Sequence, residues 1–217
     1  MPCDCCTASL QEMFGERTAR HEAKHFRRKG LPARARKLLA AIERTPGLDG
    51  RSTLEVGAGV GALTITMLKH GAARATIIDA SPAYLAAARH LADEFGVADA
   101  LNFELANYAL RTPNGAAADV VVMDRVVCCY PEWRHLLDAA ARDGRLAIAL
   151  TYPREAWWAR LGVRLANLFL RLRRTPFRVH VHPVAPMQQA LAAAGFSPRV
   201  HGYHGPWEIL IAERRAT

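Results

Sequence analysis

Apolar residues fall along this chain in two alternating rhythms. The run Ala118–Met123, with three consecutive valines, predicts a strand buried on both faces. Thr53–Val56 predicts a short buried strand running into glycines, and Arg74–Asp79, Leu101–Leu105 and Arg145–Tyr152 complete a set of five. Between them, apolar positions recur at helical spacing over Ala62–His70, Pro82–Phe95 and Glu132–Arg142. Ser81, just ahead of Pro82, offers a side-chain cap. Residues 9–29 and 33–45 predict two leading helices, the second opening after Pro32 and closing near Pro46-Gly47. Helices over 155–173 and Pro186–Ala194 follow the fifth strand, then two strands, Ser197–Tyr203 and Trp207–Glu213, joined at Gly205-Pro206. Strand-then-helix units closed by a hairpin predict an α/β chain with an open, mostly parallel sheet and helices on both faces. Residues 1–45 form a helical cap with a Cys-rich start; 46–217 form the main domain, with a helical lid inserted at about 154–183.

In sheets of that kind ligands bind beyond the carboxyl ends of the strands. The first such turn reads Leu54-Glu55-Val56-Gly57-Ala58-Gly59-Val60-Gly61. Glycines at alternating positions let the backbone turn tightly and approach a ligand with no Cβ in between. The second strand ends in Asp79-Ala80-Ser81, where a carboxylate can accept both hydrogen bonds of a ribose diol. A dinucleotide fingerprint spaces its glycines G-x-G-x-x-G to seat a pyrophosphate; here the spacing is G-x-G-x-G behind an acid.

That turn resembles the first motif of the class I S-adenosylmethionine (SAM) methyltransferases, and the resemblance runs from about Gly30 to Arg214. It implies a Rossmann-like, seven-stranded sheet whose last strand pair is an antiparallel hairpin. It further implies that Gly57, Ala58, Gly59 and Gly61 wrap the methionine end of SAM, while Glu55 holds the loop and its waters. Asp79 would bind the ribose, with Ala80 beside the adenine and Asn107-Tyr108 at the adenine edge. Asn107 stands where that family usually has an acid, although its amide oxygen can accept the same hydrogen bond. After the fourth strand, Asp124-Arg125 and Tyr130 would lie near the sulfonium and face the acceptor. A narrower resemblance, to bacterial proteins grouped with magnesium-protoporphyrin O-methyltransferases, rests on Phe26-Arg27-Arg28-Lys29-Gly30-Leu31, on Asp124 through Tyr130, and on Thr151-Tyr152-Pro153-Arg154. The porphyrin enzymes carry His-Tyr where this chain has Cys129-Tyr130.

Composition narrows the acceptor. The 217 residues are 51% hydrophobic and 23% charged, which excludes a disordered chain, and the formal charge is +9. Residues 16–37 hold nine Lys/Arg against two Glu, and 154–178 hold seven Arg against one Glu. Such an excess suits an acidic substrate or an anionic membrane; no nucleic-acid motif or aromatic platform accompanies it. Arginine forks hold carboxylates well, making Arg27, Arg28, Arg125 and Arg154 candidates. In 155–173, Trp157, Trp158, Leu161, Leu165, Leu168, Phe169 and Leu172 recur at helical spacing with Arg160, Arg164 and Arg171 along one flank. This pattern predicts a lid over a flat hydrophobic acceptor, a helix lying on an anionic membrane, or an ordinary covering helix.

Cys128 and Cys129 fall on the acceptor side; with Cys3, Cys5 and Cys6 they could instead supply soft ligands to a metal or metalloid, although no pair is a C-x-x-C knuckle. His180, His182, His201 and His204 are candidate bases or ligands, or plain surface histidines. The N-terminus lacks the basic start and apolar run of a secretory leader, and no run approaches ~18 apolar residues, so the expectation is a cytoplasmic protein, soluble or peripheral to a membrane. The reading is therefore SAM-dependent O-methylation of a small, flat, hydrophobic and acidic molecule. Methylation of a thiol or metalloid held by the cysteines is the alternative, and a non-catalytic SAM- or metal-binding sensor a third.

Overall fold

The computed structural model describes residues 13–111 and 117–215. Helices α1 (Glu16–Lys29) and α2 (Ala33–Arg44) precede strand β1 (Ser52–Val56). There follow α3 (Ala62–Lys69), β2 (Arg74–Asp79), α4 (Pro82–Glu94), β3 (Leu101–Leu105), β4 (Ala118–Asp124), α5 (Trp133–Asp143) and β5 (Gly144–Pro153). Then come α6 (Trp157–Leu172), α7 (Val184–Ala193), β6 (Phe196–His204) and β7 (Trp207–Arg214). The seven strands form one sheet in the order β3-β2-β1-β4-β5-β7-β6. β1 to β5 run parallel, while β7 is antiparallel to both β5 and β6. This is the Rossmann-like fold expected from the sequence, with strand order reversing beside β1.

The pleat sorts the strand residues between two apolar layers. Val120 and Val122 of β4 pack with Leu38 and Ile42 of α2 on one face; Val121 and Met123 pack with Leu136 of α5 and Leu191 of α7 on the other. A strand with no solvent face has no polar alternation to display, which is why the valine run of β4 reads as continuous. The leading helices thus belong to the same hydrophobic core as the sheet, through Ala19, Ala23 and Phe26 of α1 as well as through α2. Boundaries differ from the sequence expectation by about two residues at most, with one exception. The helix expected over 9–29 is broken at Phe14-Gly15 and resumes at Glu16, with Gly15 at the N-cap in extended conformation, while residues 9–12 lie outside the described residues. Residues 1–12, and with them Cys3, Cys5 and Cys6, lie outside the described residues.

The larger departure concerns α6. An amphipathic helix on a globular protein turns its broad apolar stripe inward. Here only Ala159 is buried, and Trp157, Leu161, Leu165, Leu168, Phe169 and Leu172 all face outward. The inward side carries Ala159, Val163 and Asn167, whose side chain exchanges hydrogen bonds with the Val179 backbone at 2.8 and 2.9 Å. No helix among the described residues is long and apolar enough to cross a membrane.

Candidate functional site

β1 delivers the chain into a turn in which Gly57, Gly59 and Gly61 all adopt positive φ, at 61°, 58° and 73°. Two of them also have no room for a side chain. A Cβ on Gly57 would stand 2.7 Å from Val126 Cγ2, and one on Gly61 would stand 2.8 Å from Ile77 Cδ1. Asp79, at the end of the neighbouring β2, reaches across this turn: Oδ2 accepts the Gly59 N–H at 3.0 Å and Oδ1 accepts the Ser81 N–H at 2.8 Å. Burial raises its pKa, and those backbone N–H bonds oppose the rise. Glu55 lies beneath the turn, 3% exposed, and accepts the Thr64 hydroxyl hydrogen bond. Burial first, then the charges of Asp124 and Asp79, push its carboxyl up to about 8 against that hydrogen bond. It is a neutral structural support of the loop at pH 7.

A cavity of about 390 Å³ opens from the turn. Its wall is built from Gly57, Gly59, Asp79, Ala80, Ala106 and Tyr108, from Arg125, Cys128, Cys129 and Tyr130, and from the apolar side chains of Ala159, Val163, Phe177 and Trp207. Arg125 holds φ at 62°, a conformation that costs a non-glycine residue roughly 1–2 kcal/mol. It is fixed by its own N–H, which donates to Thr151 Oγ1 at 2.9 Å, and by its carbonyl, which accepts from Cys128 and Cys129 Sγ at 3.3 and 3.4 Å. Its guanidinium is exposed at the cavity and has no ion pair among the described residues.

The remaining candidates are placed unevenly. Asp124 lines the cavity, but both its oxygens are engaged: Arg34 Nε donates to Oδ1 at 2.8 Å, Arg34 NH2 to Oδ2 at 2.6 Å, and the Thr151 hydroxyl to Oδ1. Burial opposes its ionisation, yet the Arg34 fork, Thr151 and the Arg125 charge together hold its carboxyl below the usual range. It is an ionised, fully paired group, a poor general base. Asn107 is not part of the cavity wall; its amide oxygen accepts the Tyr130 hydroxyl at 3.1 Å. The Tyr108 hydroxyl donates to Asp143 at 2.9 Å. Ala58 and Gly61 shape the turn without lining the cavity.

Several substrate candidates are not brought to the cavity. Arg154 stacks over Tyr203 at 4.2 Å, Arg27 pairs with Glu94 at 2.7 Å, Arg28 is exposed, and Trp157 is 77% exposed on the outer side of α6. Sequence order near a strand end does not fix which way a side chain turns, so spacing alone does not place these four. Among the described residues no three His, Cys, Asp or Glu side chains gather as a metal site, so Cys128 and Cys129 have no third ligand there. His180 donates its backbone N–H to the Cys128 carbonyl at 2.8 Å, and a His182 ring nitrogen lies 3.1 Å from the Val127 carbonyl. Burial lowers the pKa of both rings. His201 and His204 lie in β6.

Other lining residues carry no motif: Phe14, Glu22 of α1, Tyr84 of α4, Phe177 and Trp207. Glu22 approaches the glycine turn, with Oε2 3.5 Å from where a Gly59 Cβ would be. The only trace of it in the sequence is an acid in the middle of an otherwise basic helix.

A seven-stranded sheet of this order, with a glycine turn after β1 and an acid closing β2, is the Rossmann-like fold of the class I SAM-dependent methyltransferases. Residues 54–143 match the family model described as "Methyltransferase domain". Ribosomal protein L11 methyltransferase of Enterobacter sp. (strain 638) is 41% identical over 99 residues, which are 46% of this chain and 33% of that protein. The chain thus spans about a third of the length of the curated relatives it matches. The fold is shared with magnesium protoporphyrin IX methyltransferase from Synechocystis PCC 6803 with bound SAM, at TM-score 0.71 and 17% identity, covering 97% of each chain. It is shared also with an O-methyltransferase family protein from Burkholderia thailandensis, at TM-score 0.71 and 18% identity over 96% of this chain and 64% of that one.

Proposed function

We propose that this protein transfers the methyl group of SAM to an oxygen of a small, flat, hydrophobic acid. The observation that carries this reading is one cavity whose wall joins the glycine turn and Asp79 to Arg125 and to apolar side chains from α6 and the segment after it. The residues suit the cofactor's chemistry. SAM is cationic at both its sulfur and its ammonium group, and Glu22, Asp79 and Asp124 bring carboxylates to the cavity wall. Asp79 would accept from the ribose diol, Ala80 and Ala106 offer flat apolar contact for a purine, and the glycines admit the methionine portion without side chains in the way.

When bound, SAM supplies a methyl group whose bond to sulfur breaks with its electron pair remaining on sulfur. The chain's contribution is alignment and exclusion of water. Phe177, Val179, Ala159 and Val163 wall off the acceptor end, and Arg125 offers a fork to an acceptor carboxylate. A carboxylate oxygen is ionised at pH 7 and needs no general base, in keeping with a site whose Asp124 is already paired.

The test joins calorimetric titration with SAM and its demethylated product to a screen of labelled SAM against porphyrins, aromatic acids, thiols and arsenite. Binding of both cofactor forms with label passing to an aromatic acid or porphyrin is expected; absence of cofactor binding overturns the reading. A second reading, methylation of a thiol or thiophilic metalloid, draws on Cys128 and Cys129, which both line the cavity. The contact between the two thiols, with the Arg125 charge, lowers the Cys129 pKa against burial, while the same contact and burial raise that of Cys128 against Arg125. Turnover unchanged in Cys129→Ser removes that reading.

A further inference from the structure

The outward face of α6 is an apolar ridge with none of the described residues folded over it. Trp157, Leu165 and Leu172 are 77%, 58% and 75% exposed, and Leu161, Leu168 and Phe169 fill the same ridge at helical spacing. Monomeric proteins seldom leave so many large apolar side chains together in water. The helix is not turned this way for want of anchorage. The paired hydrogen bonds between Asn167 and Val179 fasten its middle, and Ala159 and Val163 form cavity wall on the opposite side. The small residues suit close packing inward, so the large ones are left outside.

Arg160, Arg164 and Arg171 follow one another along the edge of the ridge. Arg160 pairs with Glu155 at 2.5 Å, whereas Arg164 and Arg171 have no ion pair among the described residues. Arg173 lies over the Phe169 ring at 4.6 Å, covering the end of the ridge with a cation. Apolar side chains bordered by arginines match one surface in both chemistry and order: hydrocarbon beneath a layer of negative headgroups. A second copy of the chain, itself carrying net charge +9, offers those arginines no counter-charge.

We propose that α6 seats this protein on an anionic lipid bilayer, with the Trp157–Leu172 ridge in the interface and the arginine flank at headgroup level. The bilayer is then separated from the cavity by a single helix. This inference does not rest on methyl transfer and is tested without it.

The test is vesicle flotation of the full chain with phosphatidylcholine alone and with added phosphatidylserine, read together with tryptophan emission. Bound protein should rise about tenfold or more with the anionic lipid, emission should shift to the blue, and roughly 0.5 M salt should reverse much of the binding. Leu165→Glu/Leu168→Glu should lose about tenfold or more of the binding, and Arg164→Gln/Arg171→Gln should lose its preference for anionic vesicles. All four side chains are exposed, so the thermal melts should match the wild type, and cofactor titration checks the cavity separately. The proposal is overturned if the folded protein ignores anionic vesicles, binds both vesicle types equally, or binds unchanged in both variants. It is overturned equally if the leucine variant disperses a dimer of a protein that does not float.

Discussion

Replacing Glu55 by glutamine tests the charge state beneath the glycine turn. Burial raises the Glu55 carboxyl from 4.5 to about 8. The folded chain therefore keeps a proton that the unfolded chain gives up above 4.5. Stability contributed by that protonation is fully present below 4.5, declines as pH rises, and is gone above about 8. The slope inside that window approaches ~1.4 kcal/mol per pH unit for a single group. Glutamine preserves the shape and the neutral state without a proton to lose. Its stability relative to wild type should therefore climb by about 2 kcal/mol between roughly pH 6 and pH 8, or about 4–8 °C in melting temperature for a chain of this size. Thermal melts of the two proteins in matched buffers from roughly pH 5 to 9 provide the measurement, and taking their difference cancels every other titrating group. A difference that stays flat with pH would falsify the assignment. Flatness across that range would mean that Glu55 is already ionised in the fold and that its hydrogen bond from Thr64 is charge-assisted.

Three further perturbations probe neighbouring parts of the site. Gly57→Ala places a Cβ 2.7 Å from Val126 Cγ2 at a left-handed φ, so calorimetry should show SAM affinity down about tenfold or more and the melting temperature should fall; the backbone alone contributes roughly 1–2 kcal/mol. Arg34→Met strips the fork from a carboxylate only 11% exposed and should destabilise by about 3–5 kcal/mol at neutral pH. Because Arg34 helps hold the Asp124 pKa below 3.8, that wild-type advantage should fade as a denaturation series is carried below about pH 4. Arg125→Gly should raise the melting temperature by relieving up to about 1 kcal/mol of strain, where Arg125→Ala should not. Both should raise KM for an anionic acceptor while leaving the SAM Kd unchanged; an unchanged KM would remove Arg125 from acceptor binding.

The fold was legible because it is written in local, repeated signals. A valine run in β4, a Ser81 cap that does accept the Tyr84 N–H at 3.3 Å, and glycines at a turn that needs positive φ each constrain the backbone within a few residues. The glycine turn and Asp79 were legible for the same reason: their meeting follows from β1 and β2 being parallel neighbours in register, Val56 beside Ile78. The acceptor end was not. Whether Arg125 or Arg154 faces the cavity depends on a positive φ at one and a tyrosine platform at the other, and spacing carries neither. The outward turn of α6 was equally hidden, since a helical wheel gives the stripe but not the side on which the body lies. That side is set by Asn167 reaching Val179.

Residues inside and outside the matched stretch both line the cavity. The matched stretch, residues 54–143, contains the glycine turn, Asp79 and the loop from Asp124 to Tyr130. Much of the remaining cavity wall comes from outside it: Phe14 and Glu22, which approach the glycine turn, and Ala159, Val163, Phe177 and Trp207, which the proposed function gives to the acceptor. Arg34, which fixes the charge of Asp124, also lies outside and stacks over Trp207 at 5.6 Å, so one side chain ties the leading helices to both halves of the site. The sequence match over residues 54–143 therefore takes in the glycine turn and Asp79, while the proposed acceptor walls lie largely beyond it. Exchanging the acceptor walls while keeping residues 54–143 should change what is methylated without changing affinity for SAM.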